Sequence, residues 1–562
     1  MQRGSDMSRG AAKTAAAANP LTFIDLFCGC GGFTLGIQRA GLQCLAAIDS
    51  NPEAIKVFKA NFPDVLNVLE ENLEKFSPDK LATALDGETV DIIVGGPPCQ
   101  GFSMVRQVDW ANHGSRVKRD KRRYLFREFL RYVAHFRPRV FVMENVLGIQ
   151  SAAKGKFFTL IQSEARALGY RVHPQIEEAW KLGVPQKRRR QLIIGVRADV
   201  PGFFQTELLP SQRAWFDPDS PDDVPTLWDV IGELPRLAAG GGNEEAEYDL
   251  ARRKAFLATR GARAKHYLTQ VLEIDRAVKL TAHKARPHSD RDLRDFARLF
   301  EGEHSAEAIA RGEPMEFPYD RECFLDRYKR QHREELCSTI VAHLAKDGLM
   351  FIHPTQNRSL TPREAARVQS FPDWFEFPVA RTHQFRLIGN AVPPLVAEAV
   401  GEEVRAFLEA RNDVKFDIEP LPATEAEAVD WLKSLFDLPP SALRKIDGED
   451  FRRAWFAVGF IFAGLHPDSA LDHGRKILLT APDDYEPVRM IEPRLVAPYF
   501  ERSGWPVVLS PIAAEAWRRY RSGILKEEEF YCCDAQMAGI SCRSPELASE
   551  IRSGREHLGL KH

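Results

Sequence analysis

Through the first 200 positions, short apolar runs alternate with glycine-broken turns and stretches of helical spacing. Residues 21–27 predict a first strand, and the glycines of residues 28–32 turn the chain into a helix over residues 33–40 that Gly41 stops. A second strand over residues 42–48 ends in Asp49. Residues 90–94, rich in Val and Ile, predict a buried strand cut short by Gly95-Gly96-Pro97-Pro98. Leu125, Phe129, Leu130 and Val133 recur at helical spacing and predict a helix over residues 124–136 that packs on a sheet. A buried strand over residues 138–143, an amphipathic helix over residues 157–168 and a further strand from residue 169 follow. Three arginines then lead into an apolar strand at residues 192–195. Strands alternating with helices in this way predict an α/β fold.

Past residue 198 the rhythm changes. A Pro/Asp-rich stretch at residues 217–235 leads to Gly240-Gly241-Gly242, which reads as a hinge. In residues 358–364, Thr361 reads as an N-cap, Pro362 as the first helical position and Glu364 as the partner that completes a capping box. A helix ending near residue 410 closes this part of the chain. Residues 431–436, 451–465 and 507–520 show helical apolar spacing, which predicts a mostly helical C-terminal domain. At 562 residues the chain exceeds one core, so about three domains are expected. The divisions are a flexible leader (1–20), a first catalytic and cofactor-binding part (21–197), a variable region (198–341), a return segment (342–411) and a C-terminal domain (412–562).

Composition narrows the class. A hydrophobic content of 44% and a charged content of 28% are those of an ordinary globular protein, and no apolar stretch is long enough to span a bilayer. Nine cysteines without paired spacing argue for a reducing compartment, hence a cytoplasmic protein. The net charge of -2 predicts no global attraction to a polyanion, so local charge must carry any such contact. Arg116, Lys118, Arg119, Lys121, Arg122 and Arg123 follow the Gly-Pro turn and read as a loop that closes over a phosphate backbone. Arg252, Arg253, Lys254, Arg260, Arg263, Lys265, Lys284, Arg286 and His288, with a second cluster at residues 326–335, read as phosphate contacts.

Cys99 follows the Gly-Pro turn at a strand's carboxyl end, where open α/β sheets place their ligands. A cysteine held there is a candidate nucleophile, the alternative being a packing thiol. Glu144 ends the next strand at the same level and can act as a general acid or base, or else as a structural cap. The glycine turn after the first strand lets a cofactor approach the backbone, and Asp49 stands where an acid commonly holds a ribose. Gly29-x-Gly31 followed by Gly36 departs from the dinucleotide spacing and suits a smaller adenosyl cofactor. Alternation puts Arg188 and Arg190 on one strand face, where guanidinium forks suit a base edge or a phosphate. Cys532, Cys533, Cys542 and His557 match no zinc spacing, so no metal site is expected.

The ordered set DLFCGCGG (25–32), GGPPCQGFS (95–103), ENV (144–146), QKRRR (186–190), RSLTPREAARVQSFPD (358–373) and QFRLIGNAVPP (384–394) resembles the DNA (cytosine-5)-methyltransferase family. The resemblance covers about residues 21–408. It implies a Rossmann-like S-adenosylmethionine-dependent methyltransferase sheet carrying an inserted target-recognition domain, with the C-terminal domain outside it. Phe27, Gly29 and Gly31 would then shape the cofactor pocket, Asp49 would hold the ribose, and Pro98, Leu125, Asn390 and Val392 would line the rest. Two positions depart from the family pattern: Ser50 stands where a bulky apolar residue is usual, and Asn72 where an Asp tends to meet the adenine.

For chemistry, the resemblance implies attack by Cys99 on carbon 6 of a flipped-out cytosine and a proton from Glu144 at the ring's N3 edge. Arg190 would meet the ring's O2, with Arg188 as a buttress. The implied partner is double-stranded DNA, in a restriction–modification setting beside a cognate restriction endonuclease. An RNA substrate would use the same residues. A DNA-binding protein with a silent core is opposed by the intact Cys99, Glu144 and Arg190 set. A nicotinamide oxidoreductase explains neither GGPPCQGFS nor QKRRR.

Overall fold

The structure is a computed structural model that describes residues 20–98, 121–153, 155–168, 170–197, 200, 215–216, 220, 223–316 and 326–409. The leader, Cys99, the basic loop up to residue 120 and the C-terminal domain therefore lie outside the described residues.

Seven strands form one sheet: β1 (Thr22–Leu26), β2 (Gln43–Asp49), β3 (Asn67–Glu70), β4 (Ile92–Gly95), β5 (Val140–Asn145), β6 (Tyr170–Glu178) and β7 (Arg189–Arg197). Their order is β3-β2-β1-β4-β5-β7-β6. The first five run parallel, while β7 is antiparallel to both β5 and β6. Parallel strands need crossovers, and α1 (Gly32–Arg39), α2 (Pro52–Asn61), α3 (Pro78–Ala84) and α4 (Phe126–Phe136) supply them. α5 (Lys156–Ala167) leads into β6. β6 tolerates Pro174 because it lies at the sheet's edge, where a missing N–H costs no ladder bond.

Both sheet faces are buried, which explains the apolar runs. Val140 and Val142 face a core shared with Phe33, Ile37, Val396 and Val400. Phe141 and Met143 face the opposite core with Phe129, Leu130 and Val133. After α6 (Pro362–Val368) and α7 (Arg381–Asn390), the chain ends its described part in α8 (Pro394–Glu409). α8 packs on α1 closely enough that a Cβ on Gly36 would stand 2.2 Å from the Pro394 carbonyl. α6 begins as its sequence predicted, with Thr361 and Glu364 forming the capping box and Pro362 in the first turn.

The variable region is not a wholly separate body. Leu227, Val230, Tyr267, Leu272 and Leu280 join the core of the sheet, whereas Phe296, Leu299, Met315, Tyr328 and Ile352 form a smaller cluster of their own. The expected triple-glycine hinge is in fact tied down: Gly240 N–H donates to Arg286 O (3.0 Å), and Ala285 N–H donates to Gly241 O (2.8 Å).

Buried ion pairs join this region to α6. Arg367, fully buried, donates to Asp373 (2.7 Å), Glu233 (2.6 Å) and the Val230 carbonyl (3.0 Å). Burial opposes the charge on Arg367, but Asp373 and Glu233 outweigh it and hold the guanidinium firmly protonated. Replacing Arg367 by Met would leave both carboxylates buried without that partner, at a cost of about 3–5 kcal/mol. The expected result is a clear drop in the urea midpoint; an unchanged midpoint would show that the network does not hold this junction.

Candidate active site

Because the first five strands are parallel, their carboxyl ends meet along one edge of the sheet, with the topological switch between β1 and β4. A cavity of about 550 Å³ opens there, within the usual range for a small-molecule site. Phe27, Asp49, Asn72, Pro98 and Glu144 reach it from the ends of these five strands, and Gly29, Leu125, Asn390 and Val392 complete the expected lining. Gly31 does not border the cavity. It turns the chain into α1 at φ 92°, and a Cβ there would stand 2.3 Å from the Phe62 ring.

The turn after β1 is held in a sparsely populated conformation. Phe27 has φ 60°, unusual for a bulky residue, and such strain persists where surrounding structure overdetermines it. Asp49 supplies part of that restraint: Gly29 N–H donates to its Oδ2 (2.9 Å) and Asn51 N–H to its Oδ1 (2.8 Å). Each oxygen keeps a second lone pair for a ligand hydroxyl. Asn72 is similar, its side-chain oxygen accepting from Glu74 N–H (2.9 Å).

Asp25 lines the same cavity and was not among the residues expected there. It is 1% exposed; Thr34 donates to its Oδ2 (2.6 Å), while its buried Oδ1 has no hydrogen-bond partner among the described residues. Burial pushes its carboxyl up to about 7, with the neighbouring Asp49 adding to the rise. Burial also raises Asp49 itself. An acid one residue before the end of a strand gives no local sign of this, because its environment comes from α1 and β2.

Glu144 and Arg190 come together, with Arg190 Nε 2.9 Å from Glu144 Oε1. The antiparallel direction of β7 makes this possible, since its first residues lie beside the last residues of β5. Asn145 steadies the neighbouring turn by donating to the Pro97 carbonyl (3.2 Å). Arg188 is placed otherwise. It is 1% exposed and donates to the Ile340 (2.9 Å) and Ala391 (2.8 Å) carbonyls, so it supports the cavity wall and does not itself border the cavity. Gln186 lies beside it, donating to Gln369 (2.6 Å) and accepting from Ile340 N–H (3.2 Å).

Among the described residues, most of the variable-region cations read as phosphate contacts have partners inside the protein. Arg252 donates to the Glu233 and Gly232 carbonyls, Arg253 to Ile274 O, and Arg286 to Leu344 and Ala345 O. Arg260 pairs with Asp229, Arg263 with Asp223 and Lys284 with Glu244. In the second cluster, Arg330 is buried on main-chain carbonyls and Arg333 pairs with Glu301. His288 bonds Ser359, and burial lowers it to about 4. A count of basic residues cannot distinguish these structural bonds from a surface that faces a polyanion.

Asp25 yields a prediction about the ligand-free protein. Its folded-state pKa of about 7 exceeds its ordinary 3.8, so its stabilising contribution is complete below about pH 4 and is lost as pH rises through 7. The loss is at most about 4 kcal/mol. Asp25→Asn removes the titration, so the wild type's melting temperature should fall relative to the variant between pH 4.5 and 8. Parallel curves would contradict the buried-acid assignment.

Comparison with known proteins agrees with this architecture. The family description "C-5 cytosine-specific DNA methylase" matches residues 21–406. The type II methyltransferase M.DdeI of Desulfomicrobium norvegicum is 33% identical over 414 residues, covering 70% of this chain and 90% of that protein. M.AgeI of Thalassovita gelatinovora, also a type II methyltransferase, is 32% identical over 442 residues, covering 68% and 99%. A crystal structure of a prophage-encoded E. coli protein described as a DNA modification methyltransferase superposes with a TM-score of 0.53 at 27% identity, covering 69% of this chain and 99% of that one. With a mostly parallel sheet, a cavity at the carboxyl edge of its parallel strands and a match across nearly all of the described residues, the chain belongs to the C-5 cytosine-specific DNA methylases.

Proposed function

We propose that this DNA cytosine-5 methyltransferase takes its methyl group from S-adenosylmethionine and acts on a cytosine flipped out of double-stranded DNA, through a covalent adduct with Cys99. The observation that carries the reading is the pairing of Arg190 with Glu144, which lines a cavity whose wall also includes Pro97 and Pro98, immediately before Cys99 in the chain. The type II relatives support a place beside a restriction endonuclease that cuts the same sequence when it is unmethylated.

The lining fits the cofactor. The buried, unpartnered Oδ1 of Asp25 is an acceptor suited to an ammonium group, and Asp49 keeps lone pairs for ribose hydroxyls. Phe27 and Leu125 offer apolar surface to the adenine. When bound, the cofactor supplies an electrophilic methyl group on a sulfonium centre.

The chain's own residues make cytosine able to accept it. Carbon 5 is a weak nucleophile, and addition of the Cys99 thiolate to carbon 6 converts the ring to an enamine. Glu144 donates a proton where negative charge builds at N3, and Arg190 both orients Glu144 and offers positive charge to the ring's O2. Loss of the C5 proton to a base then allows the carbon–sulfur bond to break, which returns Cys99. Arg188, through the Ala391 carbonyl, keeps the cavity wall in place meanwhile. A duplex hides carbon 5, so the base must leave the stack at a cost of about a few kcal/mol.

Base-resolution mapping of cytosine methylation in a methylation-free host expressing the protein tests the whole reading. Methylation at one short sequence, absent with Cys99→Ser, is expected; equal methylation in both would exclude the thiol mechanism. Glu144→Gln should lower turnover by roughly 10²- to 10⁴-fold while S-adenosylmethionine affinity stays unchanged. A fall in affinity alone would move Glu144 from the chemistry to cofactor binding.

A further inference from the structure

The cavity is lined by five carboxylates, those of Asp25, Asp49, Glu71, Glu74 and Glu144, and by one cationic side chain among the described residues, Arg386. Arg386 lies on α7, one turn before Asn390, so the two project from the same helix face. It is exposed and makes no ion pair or hydrogen bond among the described residues, unlike the arginines of the recognition region. The carboxyl end of α7 abuts the amino end of α1: a Cβ on Gly32 would stand 2.4 Å from Val392 O, and the Cys30 thiol faces Leu387 O at 3.8 Å. The amino end of α1, with Gly32 and Phe33 in the lining, carries the positive end of its helix dipole. Arg386 and this helix end therefore lie on neighbouring helices.

Resting on the S-adenosylmethionine reading, we propose that Arg386 recognises the carboxylate of the cofactor's amino-acid end. That ligand brings two cationic groups, which suit an acidic cavity, and one anion, which the five carboxylates oppose. An unpaired guanidinium at the mouth offsets that opposition at a small conformational cost, and its fork matches a carboxylate. Arg386 is thus a specificity residue for the amino-acid end and takes no part in the bond changes.

Decarboxylated S-adenosylmethionine is the discriminating probe, because it keeps the sulfonium and the ammonium and lacks only the anion. Calorimetric titration of the full chain without DNA compares it with S-adenosylmethionine for the wild type, Arg386→Gln and Arg386→Lys. The wild type should prefer the intact cofactor by about five- to tenfold. In Arg386→Gln the ratio should fall to one or below, since the remaining carboxylates favour the more cationic ligand, and Arg386→Lys should keep part of the preference. A wild-type ratio retained in Arg386→Gln, or equal losses for both ligands, would overturn the assignment. So would weaker duplex binding with a shallower salt dependence at an unchanged ligand ratio, which would give the guanidinium to a DNA phosphate. A wild type that binds neither compound would instead remove the cofactor reading, and this assignment with it.

Discussion

The rest of the structure depends on buried guanidinium groups that bond main-chain carbonyls. Between residue 223 and α6 the chain forms few regular ladders, and buried carbonyls there need partners that a sheet or helix would otherwise supply. Arg188, Arg330, Arg358, Arg363 and Arg367 are all 4% exposed or less. Arg330 alone reaches the carbonyls of Phe296, Leu299 and His353, which belong to two separate stretches of chain. Arg363 ties Thr281, Pro372 and Phe375 together. Arginine suits this task because it carries five donors in a rigid fork and stays protonated when buried.

This scaffolding reaches the cavity at the sheet's edge. Arg188 bonds Ile340, just before the return segment, and Ala391 in the cavity wall, while Gln369 donates to Ile388 O (2.6 Å) on α7. The wall that α7 presents to the cavity is therefore fixed by the same polar web that holds the segment leaving the variable region. Groups positioned in this way need little reorganisation when charge develops on a substrate, and that is where catalytic advantage arises. The sheet contributes in a different manner. Five parallel strands deliver their ends to one edge, and one antiparallel strand brings Arg190 to Glu144.

The cavity is electrostatically costly to the empty protein. Asp25 and Asp49 are buried near each other, and burial raises both. Among the described residues, Thr34 and a few backbone N–H groups offset this, with the Asp25 Oδ1 left over. A fold optimised for stability alone would not retain two such acids. Both sit at strand ends beside the turn that holds Phe27 at positive φ, so strain and buried charge concentrate at one place in the sheet.

The sequence by itself determined what local periodicity and turn chemistry control. The alternation of strands and helices, the end of β4 at the Gly95-Gly96-Pro97-Pro98 turn, the capping box at Thr361 and the strand-end positions of Asp49 and Glu144 were all readable. Each follows from residues within a few positions of one another, and the ordered motifs pointed to the family that the comparison shows. Tertiary structure alone decided the direction of β7, the inward turn of Arg188, the internal partners of Arg252, Arg253 and Arg286, and the exposed placement of Arg386 at the cavity. It also decided that Asp25 stays protonated up to about pH 7. In each case the deciding neighbours lie on another element, in places more than a hundred residues away. Which long side chain finds a carbonyl, an acid or an open cavity is set when distant segments pack together, and periodicity carries no record of that.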